Sequence, residues 1–129
     1  MLKSLGVAFL LCSAVVLNAE NGTVVDKKHH LEWQDSDDTT IDIWNMANSY
    51  CTLLQLDGKD DWRLPTKEEL LSLSKDQALK KRFHNLQDRV YWTSENGQYE
   101  ATTIYSGNGF VSSSDNCEKY ATICVRKSN

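Results

Sequence analysis

Residues 61–70 read Asp-Trp-Arg-Leu-Pro-Thr-Lys-Glu-Glu-Leu, and this short stretch indicates where a helix begins. Thr66 is followed three residues later by Glu69, which is the spacing of a capping box. In that arrangement the hydroxyl and the carboxylate each accept a hydrogen bond from a backbone N–H group that the first helical turn leaves free. A helix is therefore predicted to begin at about Lys67. Its buried face is expected to consist of leucines: Leu70, Leu71 and Leu73.

The segment before this stretch predicts another helix, over residues 41–54. Its apolar side chains recur at steps of three and four, which places them on one helical face: Trp44, Ala47, Cys51 and Leu54. Cys51 is therefore expected to point inward. Residues 35–40 carry carboxylates and hydroxyls that suit a helix start. The same carboxylates are ligands that Ca²⁺ prefers, but the stretch lacks the glycine and the distal glutamate of a calcium loop, so we interpret it as a cap.

Alternating apolar and polar residues predict strands in the rest of the chain. Residues 22–34 indicate a hairpin, and its polar turn contains His29 and His30. Four further strands are predicted, with a hairpin turn at 106–109 between the second and the third: 90–93, 101–105, 110–113 and 120–126. The predicted class is α+β, a mostly antiparallel sheet with two helices packed against it.

The amino terminus has the three parts of a secretory signal. Lys3 precedes an apolar run that extends from Leu5 to Leu17, and the small residue Ala19 follows it. The run is too short to span a bilayer. We therefore expect a signal peptide over residues 1–19 and one domain over residues 20–129. Lipidation of Cys12 is an alternative, although Leu11 stands where lipoprotein signals resemble one another in having Gly, Ala or Ser.

Composition narrows the class of partner. Without the signal the chain has 110 residues, which is the size of one domain. Loss of Lys3 leaves 13 basic against 18 acidic residues and a net charge of −5. Such a domain lacks the excess of basic residues that nucleic acids and anionic membranes attract. No membrane span is expected after signal cleavage. We expect neither a cofactor nor a metal, because His29, His30 and His84 lie far in sequence from the cysteines.

Three cysteines remain after signal cleavage: Cys51, Cys117 and Cys124. In an exported chain they are candidates for a disulfide, and their odd number leaves one thiol over. The loop-entropy relation gives about 4.4 kcal/mol for a bridge from Cys51 to Cys124 and about 2.5 kcal/mol for a bridge from Cys117 to Cys124. Loop entropy thus favours a long bridge, but it does not separate Cys51–Cys124 from Cys51–Cys117.

Several segments together resemble one known family. They are 31–35, 47–51, 61–70, 91–94 and 124–126. The chain resembles the Lcl C-terminal domain family, the terminal domain of the Legionella collagen-like adhesin and of many exported bacterial proteins. The resemblance implies a fold related to the C-type lectins and to the formylglycine-generating enzymes, and it pairs Cys51 with Cys124. This chain departs from the family pattern at His29 and His30, where the family tends to have Thr-Gly, and at Cys117, which has no assigned partner.

The motif residues have two interpretations. Tryptophan rings could be stacking platforms for a sugar, but Trp44 lies on the apolar face of a helix, and three others lie in the motif segments: Trp33, Trp62 and Trp92. We therefore assign all four to the core. Arg63, next to Pro65, is interpreted as a structural arginine whose fork binds a carboxylate or loop carbonyls.

The sequence favours a non-enzymatic binding domain of the periplasm or of the secreted fraction. It contains no nucleophile motif, phosphate loop or histidine pair with an acid. Loops on a rigid scaffold carry binding residues, and four are selected as candidates: Glu95, Asn96, Gln98 and Asp115. The expected ligand is a glycan or an envelope protein, and Cys117 is expected to be accessible and able to form a dimer. The alternatives are a structural or assembly module without a small ligand, and a degenerate enzyme of the formylglycine-generating type.

Overall fold

The computed structural model of the chain describes residues 22–37 and 40–128. The predicted signal peptide and Cys12 lie outside these residues, as does Asp38 of the predicted cap. The strands are β1 (Thr23–Asp26), β2 (Leu31–Gln34), β3 (Ile41–Asp42), β4 (Val90–Asn96), β5 (Glu100–Tyr105), β6 (Phe110–Asp115), β7 (Tyr120–Ala121) and β8 (Val125–Lys127). The helices are α1 (Trp44–Leu53), α2 (Lys67–Lys75) and α3 (Gln77–Lys80).

The strands of residues 22–37 and 40–128 form two sheets. One has the order β1-β2-β8, and the other has the order β3-β7-β4-β5-β6. Among the described residues, every pairing is antiparallel except that of β4 with β7, which is a single parallel bridge between Tyr91 and Ala121. The predicted α+β class, with mostly antiparallel pairing, is confirmed.

The core lies on both sides of β4 because successive strand residues point to opposite faces. Tyr91 packs into a cluster with the leucines of α2 and with the three-stranded sheet. Trp92, fully buried, packs into a second cluster with Ala47 and Cys51 of α1. The Trp92 indole N–H donates to the carbonyl of Asp42 at 2.8 Å, so the buried polar atom is satisfied.

Residues 61–70 connect the start of α2 to strand β8 of the three-stranded sheet. The Thr66 hydroxyl accepts from the backbone N–H of Glu69 at 3.1 Å, and the Glu69 carboxylate accepts from the backbone N–H of Thr66 at 2.9 Å. The predicted capping box is therefore present, and α2 begins at Lys67. The backbone N–H of Arg63 donates to the carbonyl of Val125 at 2.9 Å, which attaches the stretch to β8.

The start of the first helix was predicted wrongly. Residues 41–42 pair with β7 as strand β3, and α1 begins only at Trp44. The cap assigned to residues 35–40 is also wrong, because α1 has Ile43 as its N-cap and no side-chain cap hydrogen bond. The Asp35 carboxylate instead accepts backbone N–H groups from His84 and Asn85, at 2.9 and 2.8 Å.

Two further differences concern the later elements. The single strand predicted over residues 120–126 is two strands, β7 and β8, which belong to different sheets. The charged stretch after residue 75 contains a third described helix, α3, which was not predicted from the sequence. Asp76 caps this short helix by accepting the backbone N–H of Leu79 at 3.0 Å.

Candidate functional site

A shallow groove lies at one end of the five-stranded sheet, where β4 turns into β5. Its volume is about 600 Å³. The lining residues are 95–102 and Ser113, so the predicted residues Glu95, Asn96 and Gln98 come together there. Asp115 is not part of the lining but lies directly opposite Glu100 in the β5–β6 register. The structure therefore brings the four sequence candidates to one end of one sheet.

Asn116 holds the turn that forms the groove. Its backbone N–H donates to the carbonyl of Tyr99 at 2.9 Å, and its carbonyl accepts from the backbone N–H of Trp44 at 3.2 Å. The side-chain amide donates to the carbonyls of Gly97 and Gln98, both at 3.4 Å. Asn116 thus joins the β4–β5 turn, the end of β6 and the start of α1. It belongs to the stretch 112–116 that the sequence also indicates as a binding loop, but its role in holding the turn was not predicted, because its partners lie 17 or more residues away in the sequence.

The rim of the groove presents polar side chains and one aromatic ring to solvent. Tyr99 is 72% exposed, and its hydroxyl accepts from the amide of Gln98 at 3.1 Å. The Glu100 carboxylate accepts from the hydroxyl of Ser113 at 2.8 Å, which holds it across the β5–β6 pair. A phenol ring, an amide and carboxylates on a fixed backbone are suited to binding a polar ligand through hydrogen bonds and stacking.

The charged residues that line the groove, Glu95 and Glu100, are both acids. Residues 90–118 contain no lysine or arginine, and their charged residues are Glu95, Glu100, Asp115 and Glu118. Glu100 and Asp115 face each other across two strands, an arrangement that is unfavourable for like charges. The groove therefore favours a neutral or cationic ligand over an anionic one.

The motif tryptophans lie in the core. Trp33, Trp62 and Trp92 are 1%, 3% and 0% exposed, and Pro65 is also buried. Trp44 is half-buried, and its indole N–H donates to the carbonyl of Thr93 at 2.9 Å. The exposed aromatic ring at the groove is that of Tyr99, which was not predicted as a binding residue.

Two arginines of the motif segments bind carboxylates. Arg63 donates to both carboxylate oxygens of Glu69, at 2.8 and 2.9 Å. Burial opposes ionisation of Glu69, but the hydrogen bonds from Arg63 and Thr66 outweigh it, and the pKa of the carboxyl lies below its ordinary value. The same pairing raises the pKa of Arg63.

Arg126 forms the second arginine centre. It donates to Asp61 at 2.5 Å and to the buried Glu32 at 2.6 Å, and its guanidinium lies 6.0 Å from the ring centroid of Trp62. The hydrogen bond with Arg126 lowers the pKa of Asp61. Arg126 therefore attaches residues 61–70 to β2 and β8, whereas the Arg63–Glu69 pair lies within that stretch. Neither arginine lines the groove.

The cysteines divide into a bridge and a free thiol. Cys51 and Cys124 are joined with an S–S distance of 2.09 Å and a Cα–Cα distance of 5.4 Å. This is the pairing that the family resemblance implied. Cys117 is free and exposed, and it follows the end of β6.

A second cavity, of about 710 Å³, lies between β1 and the loop after α3. Arg82 and His84 line one side of it, and residues 22–25 line the other. Residues 38–39, which the structure does not describe, adjoin its lining residue Asp37. Over 22–37 and 40–128, no group of three or more His, Cys, Asp or Glu side chains could hold a metal ion. None of the helices described combines the length and the apolar character needed to cross a membrane.

Comparison with known proteins identifies both the sequence family and the fold. The sequence model of the Lcl C-terminal domain matches residues 22–126. Among solved structures, the chain is similar to botrocetin, with a TM-score of 0.54 and 12% identity over 83% of this chain and 97% of that chain. At this identity the likeness shows the fold alone, which is C-type-lectin-like. No curated protein matches the chain by sequence.

Proposed function

The chain belongs to the Lcl C-terminal domain family, and on that premise we propose that it is a non-enzymatic binding domain that acts in the periplasm or in the secreted fraction. Its ligand is a glycan or an envelope protein, and the groove between the β4–β5 turn and β6 is the binding site. A lectin-like fold and membership of this family fit an exported binding domain.

The observation that carries the proposal is that hydrogen bonds hold the backbone of the groove in place, while the side chains on its rim are exposed. Asn116 holds the turn backbone by donating hydrogen bonds to three of its carbonyls, those of Gly97, Gln98 and Tyr99. The side chains on that backbone remain available, since Tyr99 is 72% exposed and residues 95–100 are all exposed. A rigid frame with solvated polar side chains lowers the entropy cost of binding a ligand.

The proposed location outside the cytoplasm is supported by the disulfide. Structural disulfides persist in oxidising compartments and are rare in the cytosol. The bridge also supports the non-enzymatic part of the proposal. Because Cys124 is joined to Cys51, the free thiol of Cys117 has no second thiol beside it among the described residues.

An assembly module is the second candidate, and one observation favours it. Helix α1 carries no charged residue, yet Met46 is 52% exposed and Leu53 is 79% exposed. Depletion of charge together with exposed apolar side chains is typical of the centre of a protein interface. Under this candidate, partner binding depends on α1 and is independent of the groove.

The test uses oxidised protein of residues 20–129 on a glycan array and against soluble envelope proteins of the producing cell. Tyr99→Ala removes the exposed ring of the groove, Leu53→Ala removes the exposed side chain of α1, and Lys28→Ala, in the exposed turn of the first hairpin, is the control. We expect Tyr99→Ala alone to abolish binding. Loss of binding with Leu53→Ala and not with Tyr99→Ala would reject the groove as the binding site and support the assembly module.

A further inference from the structure

Strand β6 is a free edge of the five-stranded sheet. It pairs with β5 over six consecutive residue pairs without a bulge, and within residues 22–37 and 40–128 no strand pairs with its other side. Five of its six residues are exposed, Ser114 being the exception. Natural sheets protect such edges with lysine, proline, a bulge or a covering loop, and β6 has neither lysine nor proline nor a bulge. The edge is therefore open to strand addition.

The register identifies which backbone groups are open. The N–H of Asn116 donates to the carbonyl of Tyr99, so the even-numbered residues before it on β6 direct their backbone groups toward β5. The hydroxyl of Thr103 donates to the carbonyl of Ser112, which agrees with this alternation. The N–H and C=O groups of Val111 and Ser113 consequently point away from the sheet. They have the spacing at which an added strand forms its hydrogen bonds.

The chemistry along the edge changes from one end to the other. Phe110 and Val111, at the first end, are 66% and 39% exposed. At the other end lies Asp115, with Glu100 opposite it and Glu118 three residues further on. The carboxylate of Glu100 is held toward β6 by the hydroxyl of Ser113. A complementary strand would have an apolar side chain at one end and cationic side chains at the other.

We propose that β6 accepts an extended basic segment of a partner protein by strand addition, with its backbone on Val111 and Ser113 and its cationic side chains against Glu100 and Asp115. This inference rests on the proposed binding function and specifies its ligand. Main-chain hydrogen bonds supply affinity in this mode, and side chains of alternate residues supply specificity.

Charge decides between this occupant and a second copy of the chain. In a symmetric, antiparallel pairing of two copies through β6, Asp115 of one copy would lie at the Phe110–Val111 end of the other, so the acids would gain no cationic partner. A basic segment instead neutralises the unfavourable pair of Glu100 and Asp115. Electrostatic complementarity of this kind also speeds the association of the partners, and salt weakens that effect.

The first experiment measures peptide binding to the oxidised domain by fluorescence polarisation. The probes are an eight-residue peptide of alternating valine and lysine, the same peptide with glutamate in place of lysine, and a fully N-methylated form of the lysine peptide. The lysine peptide is expected to bind about tenfold or more tightly than either of the others. Hydrogen exchange of the Val111 and Ser113 amides should slow when it binds, because those N–H groups become donors to the added strand.

The second experiment uses a matched pair of variants. Ser113→Pro removes an N–H group that points away from β5, so the β5–β6 ladder is kept, as edge prolines allow. Ser113→Ala removes the same hydroxyl and keeps the N–H group. Ser113→Pro is expected to bind the lysine peptide about tenfold more weakly than Ser113→Ala. Equal melting temperatures of the two variants would show that the fold is unchanged.

Three peptide-binding results would each overturn the inference. They are equal binding of the N-methylated peptide, stronger binding of the glutamate peptide, and equal binding by Ser113→Pro and Ser113→Ala. A dimer of the unliganded domain that Ser113→Pro dissociates would assign the edge to a second copy and would also overturn it. Glycan binding that Tyr99→Ala abolishes, together with no peptide binding, would leave the proposed function standing and reject only this inference.

Discussion

Trp62 shows how a single residue of the motif segment contributes to the fold. Its ring is 3% exposed and packs with Trp92 and Leu64 in the cluster on the α1 side of β4. Its indole N–H donates to the carbonyl of Lys59 at 3.2 Å, and the guanidinium of Arg126 lies over the ring. Both the apolar ring and its single donor are therefore satisfied, which is the condition for a tryptophan to be buried without penalty.

Trp62→Ala is expected to lower the free energy of unfolding by about 3 to 5 kcal/mol, because a large cavity replaces a buried ring. Chemical denaturation of the oxidised protein measures the change. Tyr99→Ala is the control, since that ring is 72% exposed and its removal should change stability by no more than about 0.5 kcal/mol. A stable Trp62→Ala protein that has lost ligand binding would contradict the assignment of Trp62 to the core.

Helix α2 is the element whose start is most firmly determined, because its capping box also receives a bidentate arginine. Glu69 accepts from Thr66 and from Arg63 at the same time. The pKa of Glu69 is below its ordinary value of 4.5, so the folded protein binds this proton less readily than the unfolded chain. By linkage, the stabilisation is complete above the ordinary value and is lost as the pH falls through the lower, folded value.

Glu69→Gln should therefore destabilise the protein by about 1 kcal/mol at neutral pH and by progressively less as the pH falls below 4.5. Denaturation curves measured across the acid range test this sign. Glu68→Gln is the matched control, because Glu68 is an exposed acid of the same first turn. A constant difference between wild type and Glu69→Gln at every pH would contradict the linkage argument.

The elements that the sequence predicted are those specified by local chemistry. The capping box at Thr66, the first hairpin and the turn at 106–109 each depend on residues a few positions apart. Gly109 in that turn has φ of +79°, a backbone conformation that favours glycine. The groove turn was found for the same reason, since polar turn residues can be recognised from sequence alone.

The elements that the sequence missed depend on contacts between distant segments. Residues 41–42 directly follow a polar stretch that suits a helix start, yet they pair with β7, which lies about 80 residues later. Residues 120–126 alternate like one strand, but the two halves pair with different partners in different sheets. Asn116 gives no sign of its role because that role exists only after β4, β5 and α1 have come together. Register between remote segments cannot be obtained from local propensity.

At the scale of the whole molecule, the bridge between Cys51 and Cys124 fastens α1 to the segment where the chain crosses from β7 to β8. Both cysteines are fully buried. Next to Cys124, Gln34 accepts its backbone N–H at 3.1 Å through the side chain and donates its own N–H to the Cys124 carbonyl at 2.9 Å. The bridge and Gln34 together hold the crossing segment between the two sheets.

Replacement of Cys51 and Cys124 by serine is expected to lower the free energy of unfolding by about 4.4 kcal/mol, the loop-entropy value for this long bridge. Denaturant titration measures it, and Cys117→Ser, at an exposed position, is the control. Peptide mapping of the non-reduced protein should give a linked Cys51–Cys124 peptide and an alkylated Cys117. A linked Cys117–Cys124 peptide in the native protein would contradict the bridge.

The order β1-β2-β8 has a mechanical consequence. Thr23 lies opposite Gln34 and Lys127 lies opposite Leu31, so β1 and β8 run in the same direction on either side of β2. A pulling force applied between residues 22 and 128 acts along these strands and loads their hydrogen bonds together, in shear. Force applied between residues 22 and 35, which lie at the open end of the β1–β2 hairpin, would separate the two strands one hydrogen bond at a time. Single-molecule stretching should therefore give a higher rupture force along the first axis, and the intact bridge should keep the chain between residues 51 and 124 from extending.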